Sequence, residues 1–470
     1  VVRLRRPARL IPAATPREVD VRIDGEMFER VRSHVEDFSR GEEAGFLICG
    51  VSRLPGRDVL LVRESLPIPE SAIERAAHGS VLSWSSSFNS DALARAVELG
   101  GTPVLVHSHR TANPRFSPDD RRKERTLFGA FSRIVEPSPT GTLLLGQGDA
   151  VGSFWFNGRN DLGFRRLVVI GNRIDTWASA EHPARPRPVR QQLDRQNLAI
   201  GPDSDRKLAE STVAVVGLSG GGSHVVQQLA HQGIGTLIAI DDDAVELSNL
   251  GRLVGAVHSD VGRTTKVEVA RRVATGVDPR IAFGGVSERF PSERTIAALK
   301  DADVIVSCLD RFDSRAAVNT FSRRYLVPLV DIGMSILSAG EHLATADGQL
   351  IVSRPGRQCM RCWFLTDAVL DEERRNRPPG YDRNPDATAD PQVVSMNGVL
   401  ASEACNCVLD LVTGYSAGRR PSEVFWQYDG RSGAFLPYGM PSRRQDCDAC
   451  AQEGHGDPGP VLKRTAPRRS

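Results

Sequence analysis

Two histidines one residue apart, His107 and His109, precede Ser117 and Asp120 in this chain. On a strand, alternation puts both imidazoles on one face, as two nitrogen ligands of a single ion require. Asp120, one turn into a helix capped by Ser117, adds a carboxylate oxygen and leaves a fourth tetrahedral position for water, the pattern of a catalytic zinc. Water held this way needs a base. Glu42 can take its proton, while Ser117 can steady the oxyanion as it forms. Glu43 is also at hand. An HxH pair by itself is as readily structural as metal-binding.

A second group lies between Thr212 and Arg252. Thr212–Val216 is an apolar, β-type run, followed by the turn GLSGGG from Gly217 to Gly222. Helical spacing of Val225, Val226, Leu229 and Ala230 comes next, then a second apolar run, Leu237–Ile240, ending in Asp241 and Asp243. Strand, glycine turn, helix, strand and acid make a mononucleotide-binding unit. Gly217, Gly220 and Gly222 let the backbone close on phosphate, the helix start offers unpaired N–H groups, and Asp241 can take a ribose hydroxyl. Glycine turns also serve packing alone. Downstream, Lys266 is a cation able to neutralise phosphate charge, and the run Asp303–Cys308 is a buried-strand pattern that delivers Asp310. The third group is two C-x-x-C pairs, Cys359/Cys362 and Cys447/Cys450, which can form a closed tetrahedral thiolate set or remain redox-active or idle thiols.

Elements that must position these groups follow from patterning. At 470 residues, two or three domains are expected. Hydrophobic content of 40% with 25% charged residues is that of a soluble globular protein. A net charge of +2 with dispersed arginines gives no nucleic-acid surface, and no apolar run reaches membrane-span length, so a cytoplasmic protein without membrane contact is expected. The first part reads as α+β, with strands at Gly45–Cys49, Val59–Val62, Val104–His107, Thr142–Leu145 and Gly152–Phe156. Its helices fall near Glu26–Phe38, Asp91–Leu99 and Asp119–Phe131. A proline- and arginine-rich stretch over 181–192 reads as a semi-rigid spacer, and a long apolar helix begins near Val393. The end of the chain from Gly454 reads as disordered.

The string Glu42…His107-x-His109-x7-Ser117-x-x-Asp120 resembles the JAMM (JAB/Mov34/MPN+) metalloprotease signature. That resemblance implies a cytidine-deaminase-like α+β domain over 20–180, after an N-terminal extension 1–19. It implies one catalytic zinc on His107, His109 and Asp120, with Glu42 as base and Ser117 as oxyanion partner. The implied reaction is peptide or isopeptide cleavage after the C-terminal glycine of a ubiquitin-like protein. Glu246-Leu-Ser248-Asn249-Leu-Gly-Arg252, with the preceding turn, resembles the ThiF/MoeB/HesA adenylating family, related to ubiquitin-activating enzymes. Here the resemblance implies a Rossmann-like α/β domain over 193–453, with residues 454–470 as a tail. ATP would be held by the glycine turn, Asp241, Asp243, Ser248, Asn249, Arg252 and Lys266, and Mg²⁺ by Asp310. Cys359, Cys362, Cys447 and Cys450 would carry a structural zinc. Arg195, in Leu193-Asp-Arg-Gln196, would reach a partner subunit's phosphate site, so a homodimer is implied.

Together these imply an enzyme that both processes and activates a small β-grasp ubiquitin-like or sulfur-carrier protein ending in glycine, with a sulfur donor or a conjugating enzyme downstream. The alternative is a non-catalytic or single-activity scaffold that binds such a modifier in a bacterial conjugation or antiphage system. Trp363–Glu403 holds no cysteine where conjugating enzymes carry their nucleophile. Cys405 and Cys407 inside the long helix stay open as thioester sites.

Overall fold

The computed structural model describes residues 18–36, 43–75, 82–109, 114–179, 190–339, 342–376, 391–420, 424–439 and 442–458. Glu42, residues 1–17 and most of the expected spacer, 181–189, lie outside these.

The first sheet contains β1 (Glu18–Asp24), β2 (Ala44–Leu54), β3 (Arg57–Pro67), β6 (Thr102–Ser108), β7 (Thr140–Leu145), β8 (Ala150–Phe156), β9 (Arg159–Ile170) and β10 (Ile174–Ala178); a small hairpin, β4 (Ile73–Arg75) and β5 (Leu82–Trp84), stands apart. Their order is β1-β3-β2-β6-β7-β8-β9-β10, and β1 also pairs with β9, so the sheet closes on itself. Alternation sorts its side chains. Val19, Val21, Leu47, Val106 and Leu143 bury on one face with Phe28, Val31 and Val35 of helix α1 (Gly25–Val35). Phe46, Leu105 and Trp155 bury on the other, under α2 (Ser86–Glu98) and α3 (Pro118–Ile134).

The second sheet is doubly wound. Parallel strands β11 (Thr212–Val216), β12 (Thr236–Ile240), β13 (Ala282–Val286), β14 (Val304–Ser307) and β15 (Leu329–Ala339) run in the order β13-β12-β11-β14-β15. Antiparallel β16 (His342–Ser353), β17 (Val424–Asp429) and β18 (Ala434–Pro437) extend it. The central strands are buried on both faces, which is why they read as unbroken apolar runs. Short helices α4 (Asp194–Ile200) and α5 (Asp203–Glu210) lead in. Then come α6 (Gly220–Gln232), α7 (Lys266–Val277), α8 (Glu293–Leu299) and α9 (Phe312–Arg324), followed by α10 (Met360–Trp363) and α11 (Asp367–Asn376). The long α12 (Val394–Thr413) packs on α6 and completes the core. Order reverses between β11 and β14, and ligands of such sheets bind at that switch point, beyond the strand C-termini.

The two sheets share a buried boundary. Val59, Leu61, Val168 and Ile170 of the first belong to one apolar cluster with Leu299, Ala302, Tyr325 and Leu326 of the second. Arg22, 3% exposed, donates to the carbonyls of Tyr325 (3.3 Å) and Ala302 (3.0 Å). Asp20 is paired with Arg165 and Arg166. Arg166 reaches across to Asp303 at 3.0 Å, and Asp303 accepts from Thr212 N, the first amide of β11. Arg57 pairs with Asp301. Buried charges are tolerable only when paired, and here the pairs themselves cross the boundary.

Two expected boundaries shift. Arg190, placed in the spacer, is bound to Asp205 and to the carbonyl of Gly233, and Gln192 donates to Asp278, so both belong to the second unit. Gly454–Asp457, expected to open a disordered tail, is instead ordered by hydrogen bonds to Arg323, Arg324 and Val51. Loop composition hid these partners, because they are distant in sequence.

Candidate functional site

Gly217 ends β11 with φ +87°, a left-handed conformation that costs glycine nothing. A Cβ there would stand 2.7 Å from the Cys308 carbonyl oxygen, so the turn lies against the end of β14, two residues before Asp310. Gly222, in the first turn of α6, faces the carbonyl oxygen of Gly217 at a separation that excludes any side chain. The α6 N-terminus therefore lies at the switch point with no side chain on Gly220–Gly222 to keep a phosphate from its amides.

Around this turn the acids and cations hold one another. Asp241 accepts from Leu218 N (2.7 Å) and Asp243 N (2.9 Å), so it braces the glycine turn. Lys266, expected at phosphate, places Nζ 2.5 Å from Asp243 and 3.7 Å from Asp241 and is nearly buried. Burial works against its ammonium, but Asp241 and Asp243 outweigh it and hold the pKa above the usual lysine value. Burial pushes the Asp241 carboxyl up, with Lys266 opposing. The segment Ser248–Arg252 folds on itself: Asn249 accepts from Glu246 N, its amide donates to Ser248 Oγ, and Arg252 donates to the Ser248 carbonyl. Asp310 is exposed just beyond β14, and Arg195 is exposed on α4.

Sequence reasoning missed two neighbours of this turn. Asn397 of α12, 5% exposed, fills the space beside Gly220, where a Cβ would meet its Nδ2 at 2.5 Å. Glu373 of α11 accepts from the amides of Phe312 and Asp313 and so caps α9 just after Asp310. Asn397 lies one helical turn before the apolar Leu400 and Ala401 of α12, the available signal that it faces the core. The second had none, since its partner lies on another element. Cys405 and Cys407 are buried in the α12 core; burial pushes the Cys407 thiol up to about 12 and Cys405 higher, which leaves neither a ready thiolate.

In the first sheet, β6 and the start of α3 bring His107, His109 and Asp120 together, with one ligand atom from each within 4.8 Å of the others. His109 Nε2 is 3.4 Å from Asp120 and His107 Nε2 is 3.8 Å from it. Both ring nitrogens of His107 are shut from solvent and find no hydrogen-bond partner among the described residues, which suits an imidazole built to ligate. Burial, aided by His109 and opposed by Asp120, lowers its pKa to about 4, so it is neutral at pH 7. Burial would raise the Asp120 carboxyl, but hydrogen bonds from His109 and Ser117 hold it below the usual range. Ser117 forms a capping box: its Oγ accepts from Asp120 N and donates to Asp120 Oδ2 at 2.7 Å. Its hydroxyl thus orients the carboxylate. Glu43 is bound to His34 at 3.2 Å.

The four cysteines converge, all buried, with Sγ separations of 3.5 Å (Cys359–Cys447), 3.6 Å (Cys362–Cys450) and 4.0 Å (Cys359–Cys362). Disulfide bonding needs about 2.05 Å. A zinc–sulfur distance of about 2.3 Å predicts tetrahedron edges of about 3.8 Å, so the set fits a thiolate-bound ion. Among the described residues no helix is long and apolar enough to cross a membrane.

Comparison with known proteins bears on the second sheet. Residues 193–449 match the ThiF family. The SAMP-activating enzyme E1 of Haloferax volcanii is 34% identical over 178 residues, covering 37% of this chain and 62% of that protein. The sulfur carrier protein ThiS adenylyltransferase of Escherichia coli is 29% identical over 253 residues, covering 53% and 90%. The molybdopterin-synthase adenylyltransferase of Escherichia coli is 35% identical over 257 residues, covering 53% and 91%. The chain thus spans less than two thirds of the first relative and nearly the whole of the other two.

Proposed function

Because this chain belongs to the ThiF family, we propose that residues 193–453 adenylate the C-terminal glycine carboxylate of a small ubiquitin-like or sulfur-carrier protein. One carboxylate oxygen attacks the α-phosphorus of ATP; a C–O–P linkage forms, the bond between the α-phosphorus and the bridging oxygen breaks, and pyrophosphate leaves. The observation that carries this reading is the bare glycine turn at the switch point, flanked by Asp310 and backed by Asp241 and Lys266. Two anions must meet there, so positioning and charge neutralisation are the main work. The turn and the start of α6 receive phosphate; Arg252 and Lys266 offset its charge. Asp310 would hold Mg²⁺, which supplies further charge neutralisation when bound. Arg195, exposed on α4, is free to reach a second subunit, in line with a homodimer. The buried Cys405 and Cys407 favour direct use of the adenylate by a sulfur donor over a thioester step.

For residues 20–180 we propose a zinc peptidase that trims the same partner after its glycine. The convergence of His107, His109 and Asp120 supports this reading. An ion bound there would supply Lewis acidity toward water and the scissile carbonyl. His109, the neutral His107 and Asp120, oriented by Ser117, are the groups that would receive it, with Glu42 as base. The four cysteines would hold a second, structural zinc.

Both halves are testable on one substrate. Incubation with ATP and a glycine-ending partner should add one adenylyl group to that partner by mass spectrometry. A partner carrying residues beyond its glycine should be cut there by the wild type and not by His109→Ala. Absence of the adenylyl adduct with every such partner in the genome would refute the first half; unchanged cleavage by His109→Ala would refute the second.

A further inference from the structure

The residues that follow the last cysteine run between the two sheets. Cys450–Gln452 forms a single 3-10 turn, and the chain then lies along the second sheet's α9: Gly454 N donates to the Arg323 carbonyl at 3.1 Å and Gly456 N to the Arg324 carbonyl at 3.0 Å. On its other side it pairs with the first sheet. Gly456 bridges Val51 of β2 in parallel register, and Asp457 N donates to the Val51 carbonyl at 2.7 Å. His455 lies 2.5 Å from Arg63 of β3. Asp457 closes the strip from both sides: it accepts from Arg53 N of β2 at 2.9 Å and from the Tyr325 hydroxyl at 2.9 Å, and it pairs with Lys300 at 2.5 Å. Glu453, between the knuckle and the strip, accepts from Gly356 N and pairs with Arg443 at 2.6 Å. Gly50 and Gly454 approach so closely that a side chain at Gly50 would collide with this backbone.

The strip's one apolar side chain, Ala451, is exposed, so apolar burial does not hold it. Its position depends on backbone hydrogen bonds, the polar side chains of Gln452, Glu453, His455 and Asp457, and the anchoring of its start at Cys447 and Cys450. A seven-residue segment fixed at one end gives up far less conformational entropy on docking than one whose start is loose. We propose that a tetrahedral metal ion on Cys359, Cys362, Cys447 and Cys450 does more than fold the knuckle: it holds the strip 451–457 as a strap that locks the first sheet onto the adenylating unit. Without the ion, Cys450 is no longer tied to Cys359, the strap loses its anchored start, and β2 loses the partner of Val51 and Arg53. The metal site is then a site of domain assembly, and its occupancy sets how firmly the two units act as one body.

The inference rests on reading the four cysteines as a metal site, and the test separates the two. Full-length His109→Ala protein, in which the four-cysteine set is the remaining zinc site, is assayed for zinc and then followed by hydrogen–deuterium exchange before and after extraction with 1,10-phenanthroline. About one zinc per chain, with at least tenfold faster exchange at Arg53, Gly454, Gly456 and Asp457 after extraction and unchanged protection of β11–β14, is the expected result. No zinc before extraction overturns the metal reading itself. Zinc present but strap exchange unchanged on its removal overturns the strap alone, as does loss of protection throughout β11–β14, which would make the ion a folding metal only. Asp457→Ala supplies a second arm with the cysteines intact. It should keep its zinc and its β11–β14 protection while Arg53 exchanges at least tenfold faster; unchanged exchange at Arg53 overturns the strap.

Discussion

Gly217→Ala is the substitution whose effect on the nucleotide turn can be worked out most fully. Alanine would have to adopt φ near +87°, which costs about 1–2 kcal/mol for a residue with a Cβ. The same Cβ would stand 2.7 Å from the Cys308 oxygen and 3.0 Å from its carbon. Reaching ordinary contact needs a retreat of about 0.7 Å from the Cys308 oxygen, and the backbone that must give way is the end of β14, which carries Asp310 two residues on. Misplacement of reacting groups by about 1 Å can cost about a hundredfold in rate. A shift somewhat smaller than that, added to the conformational strain, predicts a loss of about ten- to a hundredfold in kcat/KM. ATP–pyrophosphate exchange driven by a glycine-ending partner reads this directly. Gly251→Ala serves as control, since a Cβ there meets nothing within 4 Å although Arg252 is its neighbour. If Gly217→Ala stays within threefold of wild type while folded, the turn is not where phosphate is held.

Three further outcomes follow from the same structure. Asp58, 4% exposed at the boundary beside Asp457, has its pKa pushed up to about 6, by burial first and by Asp457, against Arg53. The folded carboxyl therefore binds a proton that the unfolded chain releases near pH 4, so its contribution to stability is best below about pH 4 and declines as pH rises through 6. Asp58→Asn should then raise stability at pH 7.5 by up to about 3 kcal/mol, with the gain gone at pH 4, in denaturant titrations at both values; an equal gain at both would contradict it. Lys266→Ala strands Asp241, 8% exposed, without its cation, and should destabilise the second unit by about 3 kcal/mol in urea unfolding; a change below about 1 kcal/mol would mean the pair is effectively solvated. Elemental analysis should find about two zinc per wild-type chain and about one in either Cys450→Ser or His109→Ala, and a His109→Ala protein that keeps both would remove the His107/His109/Asp120 site.

Much of the second unit was legible because its central strands are buried on both faces and so announce themselves as apolar runs broken by glycine. The long helix from Val394 and the convergence of the four cysteines were legible for similar local reasons. Strands β1 and β9 were not. Arg22 and Arg166 look like surface residues, and it is the opposing unit, through Asp303 and the carbonyls of Ala302 and Tyr325, that draws them inward, with Asp20 buried beneath the arginines it pairs with. The same holds for Gly454–Asp457, whose composition is that of a loose tail and whose order comes from Arg323, Arg324 and Val51. At the site, residue types were readable from spacing, but their pairings were not. Lys266 bound to Asp243, Ser117 bound to Asp120 and Asn397 against Gly220 are products of packing between elements.

The central claim is adenylation at the glycine turn, and ATP–pyrophosphate exchange tests it most directly. Purified full-length protein is assayed with each small glycine-ending protein of the same genome, wild type beside Asp310→Ala. Exchange that appears with one such partner and falls at least a hundredfold in Asp310→Ala is the predicted result. Exchange with no partner, or exchange indifferent to Asp310, would contradict it.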